Sequence, residues 1–222
     1  MKMRLTAILV AVLPAAVLQS QTPLPPDINP VTLSRLPPIT RGDLDEEGQR
    51  LLEARGEVRP RPGPGHITIY DPKVAEAQGM LGRALGVPRG EGSRLGTRYY
   101  QLVVLMTARE IDQQYEWTAH EPMGREAGLE QAVIDAVKYD RDVRGLTDKD
   151  ATLIQFGRAL FRQHKVESDV WAKMVQAFGR QNTIEIMALM GDYFTVGMMM
   201  NAVDQHLPPD RQPLLPSLER RR

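Results

Sequence analysis

The chain has 222 residues, with Lys plus Arg equal to Asp plus Glu at 28 each, and it has no cysteine. The missing sulfur excludes disulfides, a thiol nucleophile, a thiolate zinc site and a Cys-x-x-Cys redox centre within the chain. The even charge balance gives no electrostatic footprint for nucleic acid, and the length suits a single domain.

Residues 1–20 read as a signal peptide. Lys2 and Arg4 form a basic start, an apolar run extends from Leu5 to Leu18, and Ser20 is a small residue suited to the position before a cut. The run is short for a membrane span, which needs about 20 apolar residues. Export to the periplasm or the medium is therefore expected, with cleavage near Gln21 and no membrane span afterwards. An uncleaved anchor is the alternative, and lipoprotein processing is excluded because no Cys follows the run.

Residues 21–65 are proline-rich and read as an extended arm or linker. Within them, the segment from Asp43 to Arg55 predicts a short helix, with Leu44, Leu51 and Leu52 on a loosely amphipathic pattern. The Pro- and Gly-rich run up to Gly65 then predicts a loop, or a lid over a pocket.

From Asp71 to His206 the pattern is helical throughout, and no segment alternates as a strand would. Asp71-Pro72 is an N-cap followed by proline at the first helical position, and Gly86 stops that helix. A turn reaches Gly96. A strongly apolar helix through Leu102, Val103, Val104, Leu105 and Met106 follows. The next helix carries Glu116 and His120 and ends near Gly128. Gln131 to Lys138 predicts a short helix. Thr147 to Asp150 has capping-box spacing and opens a helix with Leu153, Ile154, Phe156, Leu160 and Phe161 at helical intervals. Ser168 is expected to cap a helix that stops at Gly179, and Asn182 the last one, which ends before Pro208. That last helix is apolar on most sides, so it is either a central core helix or a subunit interface. Residues 208–222 form a tail, expected to fray from Leu215 onward.

The chemistry concentrates in Glu116 and His120. Four residues apart on a helix, they share one face. An acid beside an imidazole can relay a proton, bind a metal, or simply tie two helices together. Metal binding is disfavoured because His66, His164 and His206 are scattered and no second His-rich segment exists. Tyr115 and Trp117 suit either core or pocket. Glu185, Asp192, Tyr193 and Asn201 on the last helix read as structural by default.

The residues also carry a family likeness. Tyr100-Gln-Leu-Val-Val-Leu-Met106, followed by Tyr115-Glu-Trp-Thr-Ala-His120, resembles the carboxymuconolactone decarboxylase family of the alkylhydroperoxidase-D-like superfamily. Gly145-Leu-Thr-Asp-Lys-Asp150, Val170-Trp171, Ile184-Glu-Ile186 and Gly191-Asp-Tyr193 follow in the order expected of such proteins. The likeness covers residues 66–207. It implies an all-α, alkylhydroperoxidase-D-like helical domain that works as a homo-oligomer, with pockets near subunit contacts.

Members of that superfamily divide by chemistry. The peroxidase branch uses Cys-x-x-Cys, a His four residues after the second Cys, and an upstream helical Glu. Those positions fall here on Gln113, Glu116, His120 and Gln101, so both sulfurs are missing and an amide replaces the carboxylate. The decarboxylase branch lacks the cysteines and often has Glu at the place of Glu116. This sequence lies closer to that branch, whose reaction removes carbon dioxide from a lactone acid without a cofactor. The resemblance thus implies His120 and Glu116 as catalytic residues and Gln101, Arg109 and Gln113 as substrate-binding ones. Arg98 and Arg125 are further candidates for holding a substrate carboxylate. The implied partner is a small carboxylate-bearing molecule, with no cofactor and no metal. A non-catalytic oligomeric binding protein of the same fold is the alternative.

Overall fold

A computed structural model describes residues 24–56 and 60–217. The expected signal peptide lies outside the described residues, as does the end of the tail. Among the described residues the chain is helical, with one isolated bridge between Asn29 and Ser34 and no strand. None of these helices is long and apolar enough to cross a membrane.

The helices are α1 (Glu46–Arg55), α2 (Pro64–Thr68), α3 (Pro72–Leu85), α4 (Gly96–Glu110), α5 (Gln114–Glu126), α6 (Gln131–Lys138), α7 (Asp148–Gln163) and α8 (Ser168–Ala202). The capping chemistry sets most of their ends. The Asp71 carboxylate accepts from the Val74 N–H, and Gly86 closes α3 in the left-handed conformation at φ 78°. The Thr147 hydroxyl accepts from the Asp150 N–H at the start of α7. The expected box is only half made, because the Asp150 carboxylate turns to Arg98 at 2.7 and 2.9 Å.

Helix α4 is the axis of the core. Every residue from Tyr100 to Arg109 is buried, and α5, α6, α7 and α8 pack around it. Helix α8 is the second central element. Ser168 lies in its first turn rather than capping it, because the chain enters through Glu167. At Gly179 the backbone leaves helical geometry (φ 78°, ψ 160°) and then resumes. The sequence stop at Gly179 is thus a kink, and Asn182 falls inside the new turn, which Thr183 supports by donating to the Gly179 carbonyl at 2.8 Å. Met174, Ile186, Leu189, Met190 and Met200 are buried on the inner side, whereas Ile184 and Met198 are 59% and 50% exposed. The apolar character of α8 is therefore largely explained by a central place in the core.

The proline-rich stretch is an arm that docks, not a spacer. The Arg35 N–H donates to Val203 O, and the His206 N–H donates back to Leu33 O. Tyr70 donates to Pro37 O at 2.6 Å. The run before Gly65 ends in α2, an element the glycine and proline content conceals. Part of the tail is also anchored: Leu215 is buried in the core cluster, and the Leu214 N–H donates to Thr118 Oγ1. The expected fraying from Leu215 is wrong for that residue, because it covers core surface beside α5.

Candidate active site

Helix α5 begins where Gln113 folds its side chain back. Its amide oxygen accepts from the N–H groups of Tyr115 (2.6 Å) and Glu116 (3.4 Å), and its nitrogen donates to Asn201 on α8 at 2.8 Å. This cap fixes α5 against α8 and sets the rotation of the Glu116–His120 face. Gln113 thereby serves as a cap and is not among the residues that line the cavity beside His120.

His120 is 3% exposed. Its Nδ1 lies 2.8 Å from the Gln101 amide oxygen. The Gln101 nitrogen faces the carbonyls of Pro88 (3.4 Å) and Arg89 (3.5 Å), which orients the amide with its oxygen toward the imidazole. An amide oxygen only accepts, so Nδ1 carries the proton and Nε2 is the reactive nitrogen. Gln101 stands behind the imidazole and does not line the cavity.

Two groups face Nε2. Glu116 Oε2 is 3.3 Å away, and the Tyr193 hydroxyl is 3.3 Å away with its ring edge-on to the imidazole. The Tyr193 oxygen is also 3.1 Å from the Tyr100 hydroxyl. Burial pushes both phenols up from their ordinary ionisation range, so both stay protonated. With the ring neutral, Tyr193 donates to Nε2 and Tyr100 donates to Tyr193. With Nε2 protonated, Glu116 becomes its ion-pair partner. Nε2 thus has a partner in either state, a donor when it is neutral and an acceptor when it is protonated.

This face opens on a cavity of about 480 Å³ between α2, α3, α5 and α8. Ala75, Gly79 and Gly82 on α3, Val87, Ala119, Met123 and Val196 make most of it apolar. Gln78, Arg83, Tyr115, Glu116, His120, Asp192 and Tyr193 are its polar lining. The dimensions suit a small organic molecule. Among the described residues no cluster of His, Asp or Glu is arranged to hold a metal ion.

The three arginines suggested by sequence are elsewhere. Arg109 is 5% exposed and donates to the Pro216 and Lys138 carbonyls and to Asp112. It ties the tail and α6 to the end of α4. Arg98 pairs with Asp150 and Glu130, and Arg125 with Glu121 and Gln131. The arginine that lines the cavity is Arg83, an exposed residue that no sequence signal singles out. Asp192 and Tyr193, read from sequence as structural by default, also line the cavity. Both are buried and Tyr193 belongs to the core cluster, so spacing on α8 alone does not reveal their place at the cavity.

No protein-family model and no curated protein sequence matches the chain. Solved structures do. One is an alkylhydroperoxidase AhpD core from Ralstonia eutropha, described as an uncharacterized peroxidase-related protein: TM-score 0.60, 16% identity, covering 82% of this chain and 95% of that one. The chain has the alkylhydroperoxidase-D-like fold. A protein of unknown function from Agrobacterium tumefaciens gives TM-score 0.56 at 16% identity, over 64% of this chain and 96% of that one. The debrominase Bmp8, in complex with 2,3,4-tribromopyrrole, gives 0.55 at 13% identity, over 82% and 92%. At such identities the likeness is one of fold, and the fold evidently carries more than one chemistry.

Proposed function

We propose that the protein is a cofactor-independent acid–base enzyme acting on a small lactone or keto acid, with decarboxylation as the reaction the site fits best. The observation that carries this reading is His120 Nε2, set between Glu116 and Tyr193 on the wall of a mostly apolar cavity. Loss of carbon dioxide breaks a C–C bond and leaves its electron pair delocalised onto the neighbouring carbonyl oxygen. His120 Nε2–H then delivers a proton to carbon, and solvent restores it. Glu116 steadies the imidazolium before the transfer, and Tyr193 takes over the hydrogen bond to Nε2 after it. The substrate carboxylate is assigned to Arg83 in place of Arg109. Arg83 is exposed at the cavity wall and in no ion pair among the described residues. Apolar walls favour the charge-dispersed state over the carboxylate.

The test is a panel of lactone and keto acids offered to the purified protein, with His120→Ala as the control. Absence of turnover across the panel, with tight binding of one member, would instead favour a binding protein of the same fold.

Peroxidase turnover with a dithiol reductant is expected to be absent in the wild type. The positions that would hold the two sulfurs are Gln113 and Glu116, one a helix cap and the other the partner of His120. A peroxide-consumption assay showing dithiol-dependent turnover would contradict the acid–base reading of this site.

Assembly as a homo-oligomer belongs to the same proposal. Met80 and Leu81 on α3 and Ile184 and Met198 on α8 leave large apolar side chains exposed. Light scattering at micromolar concentration should give at least a dimer, and a monomer would reject this part.

A further inference from the structure

Asp192 precedes Tyr193 on α8, lines the same cavity and is 6% exposed. Its hydrogen bond is with the Gln78 amide nitrogen at 3.5 Å, the outer limit for such a contact. Glu116 has only His120 Nε2 beside it, but Glu185 and Asp150, two other buried carboxylates, are supplied quite differently. Glu185, on the same helix, accepts from Ser93 Oγ at 2.6 Å and from the Arg94 N–H, with the Arg94 guanidinium at 3.4 Å. Asp150 takes two bonds from Arg98 and one from Thr147. An ionised carboxylate offers about four acceptor sites, and burying it without donors is costly.

Of the groups that line the cavity with Asp192, Glu116 makes ionisation harder still. From α5 these groups are Glu116, His120 and Tyr115, and Glu116 is a second acid. From α3 they are Gln78, which is neutral, and Arg83, which lies five residues further along the helix, roughly 7 Å by its rise per residue. From α8 itself comes Tyr193, backed by Tyr100 on α4, both neutral phenols. Helix α2 contributes Pro64, Gly65 and Thr68, none of them charged. Burial pushes the Asp192 carboxyl above its ordinary range, the Gln78 contact opposes this only in part, and the Glu116 charge adds to it. A carboxyl group kept neutral is a hydrogen-bond donor, and the acid–base pair at His120 leaves one requirement unmet: a donor for the oxygen that gathers charge.

We propose that Asp192 acts as a neutral carboxylic acid that donates a hydrogen bond to the carbonyl oxygen of the substrate, opposite the proton delivered by His120. This rests on the acid–base reading above and names the group that would stabilise its intermediate. As the C–C bond to the leaving carbon dioxide breaks, its electron pair moves onto the carbonyl oxygen, held by the Asp192 O–H. When His120 protonates carbon, the pair returns to form that C–H bond, the C=O is restored, and Asp192 keeps its proton. Gln78 keeps the other carboxyl oxygen in place.

The experiment uses the full chain labelled with ¹³C at the aspartate carboxyls, with the Asp192 resonance assigned by its loss in Asp192→Asn. The resonance is expected to titrate above the ordinary aspartate value of about 3.9, and its midpoint to fall in Glu116→Gln. Titration at or below that value would overturn the proposal. Acetophenone, carrying a ¹³C carbonyl, serves as the ligand. Its resonance should move downfield on binding to wild type and to His120→Ala, but not to Asp192→Ala. An equal shift in Asp192→Ala, or none in wild type, would also overturn it. With a turned-over acid in hand, Asp192→Ala should lower kcat about 10²-fold with little change in KM, the size expected for removing one such donor. Asp192→Asn, which still donates, should recover part of the rate. The two proposals fail separately. An Asp192-dependent acetophenone shift without turnover of any acid rejects the enzyme reading alone. His120-dependent turnover that is unaffected in Asp192→Ala rejects the role of Asp192 alone.

Discussion

His120→Ala is expected to lower turnover of the lactone or keto acid by roughly 10²–10⁴-fold, the usual contribution of one positioned acid–base group. The imidazole is held for this task from both sides. Gln101 fixes the proton on Nδ1, and Glu116 and Tyr193 converge on Nε2. The variant should still fold, because the removed ring borders a cavity rather than filling the core. Glu116→Gln should cost less, since Tyr193 still meets Nε2 and the amide oxygen still accepts from it. Steady-state rates on the same acid check both variants. An unchanged rate in His120→Ala would remove His120 from the chemistry, and a loss in Glu116→Gln equal to that in His120→Ala would make Glu116 the acid–base group itself.

How far the sequence reached depends on the range of the interaction involved. Helix ends were legible because the signals are local. Asp71 and Gly86 act on their own backbone, Gly179 breaks α8 into a kink rather than ending it, and the Gln131 to Lys138 helix matches its sequence boundaries. The Glu116–His120 pair was legible for the same reason, as one helical turn brings the two side chains together. What escaped was set by distant parts of the chain. Gln113 and Arg109 are polar residues near the site in sequence, yet each is consumed by structure: one caps α5 and holds Asn201, the other binds the carbonyl of Pro216 in the tail. Asp192 and Tyr193 reach the site only because α8, packed on α4, α2 and α3, brings them to the cavity beside His120. The short helix α2 escaped because proline and glycine signal a break without saying that a turn of helix follows.

A second large effect should appear in stability, at the other carboxylate of α5. Glu121 is 3% exposed and, unlike Glu116, fully supplied with donors. The Trp117 indole donates to it at 2.6 Å, Arg125 at 2.7 Å and Lys138 at 2.9 Å. Lys138 is itself only 12% exposed and lies over the Trp117 ring. Glu121→Ala therefore strands a buried ammonium and a buried indole N–H, a change that typically costs about 3–5 kcal/mol. Urea unfolding at neutral pH should register it, and a loss below about 1 kcal/mol would mean that water reaches Lys138 freely. Burial by itself would raise the Glu121 carboxyl, but the bonds from Lys138, Arg125 and Trp117 outweigh it and hold the group below its ordinary range. A depressed carboxyl contributes stability above its unfolded value of about 4.3 and loses it as the pH falls through the folded one. The gap between wild type and Glu121→Gln should accordingly be widest near neutrality and close in acid. Two carboxylates five residues apart on one helix thus differ: Glu121 is held by donors that tie α5 to α6, whereas Glu116 meets only His120 Nε2 beside the cavity.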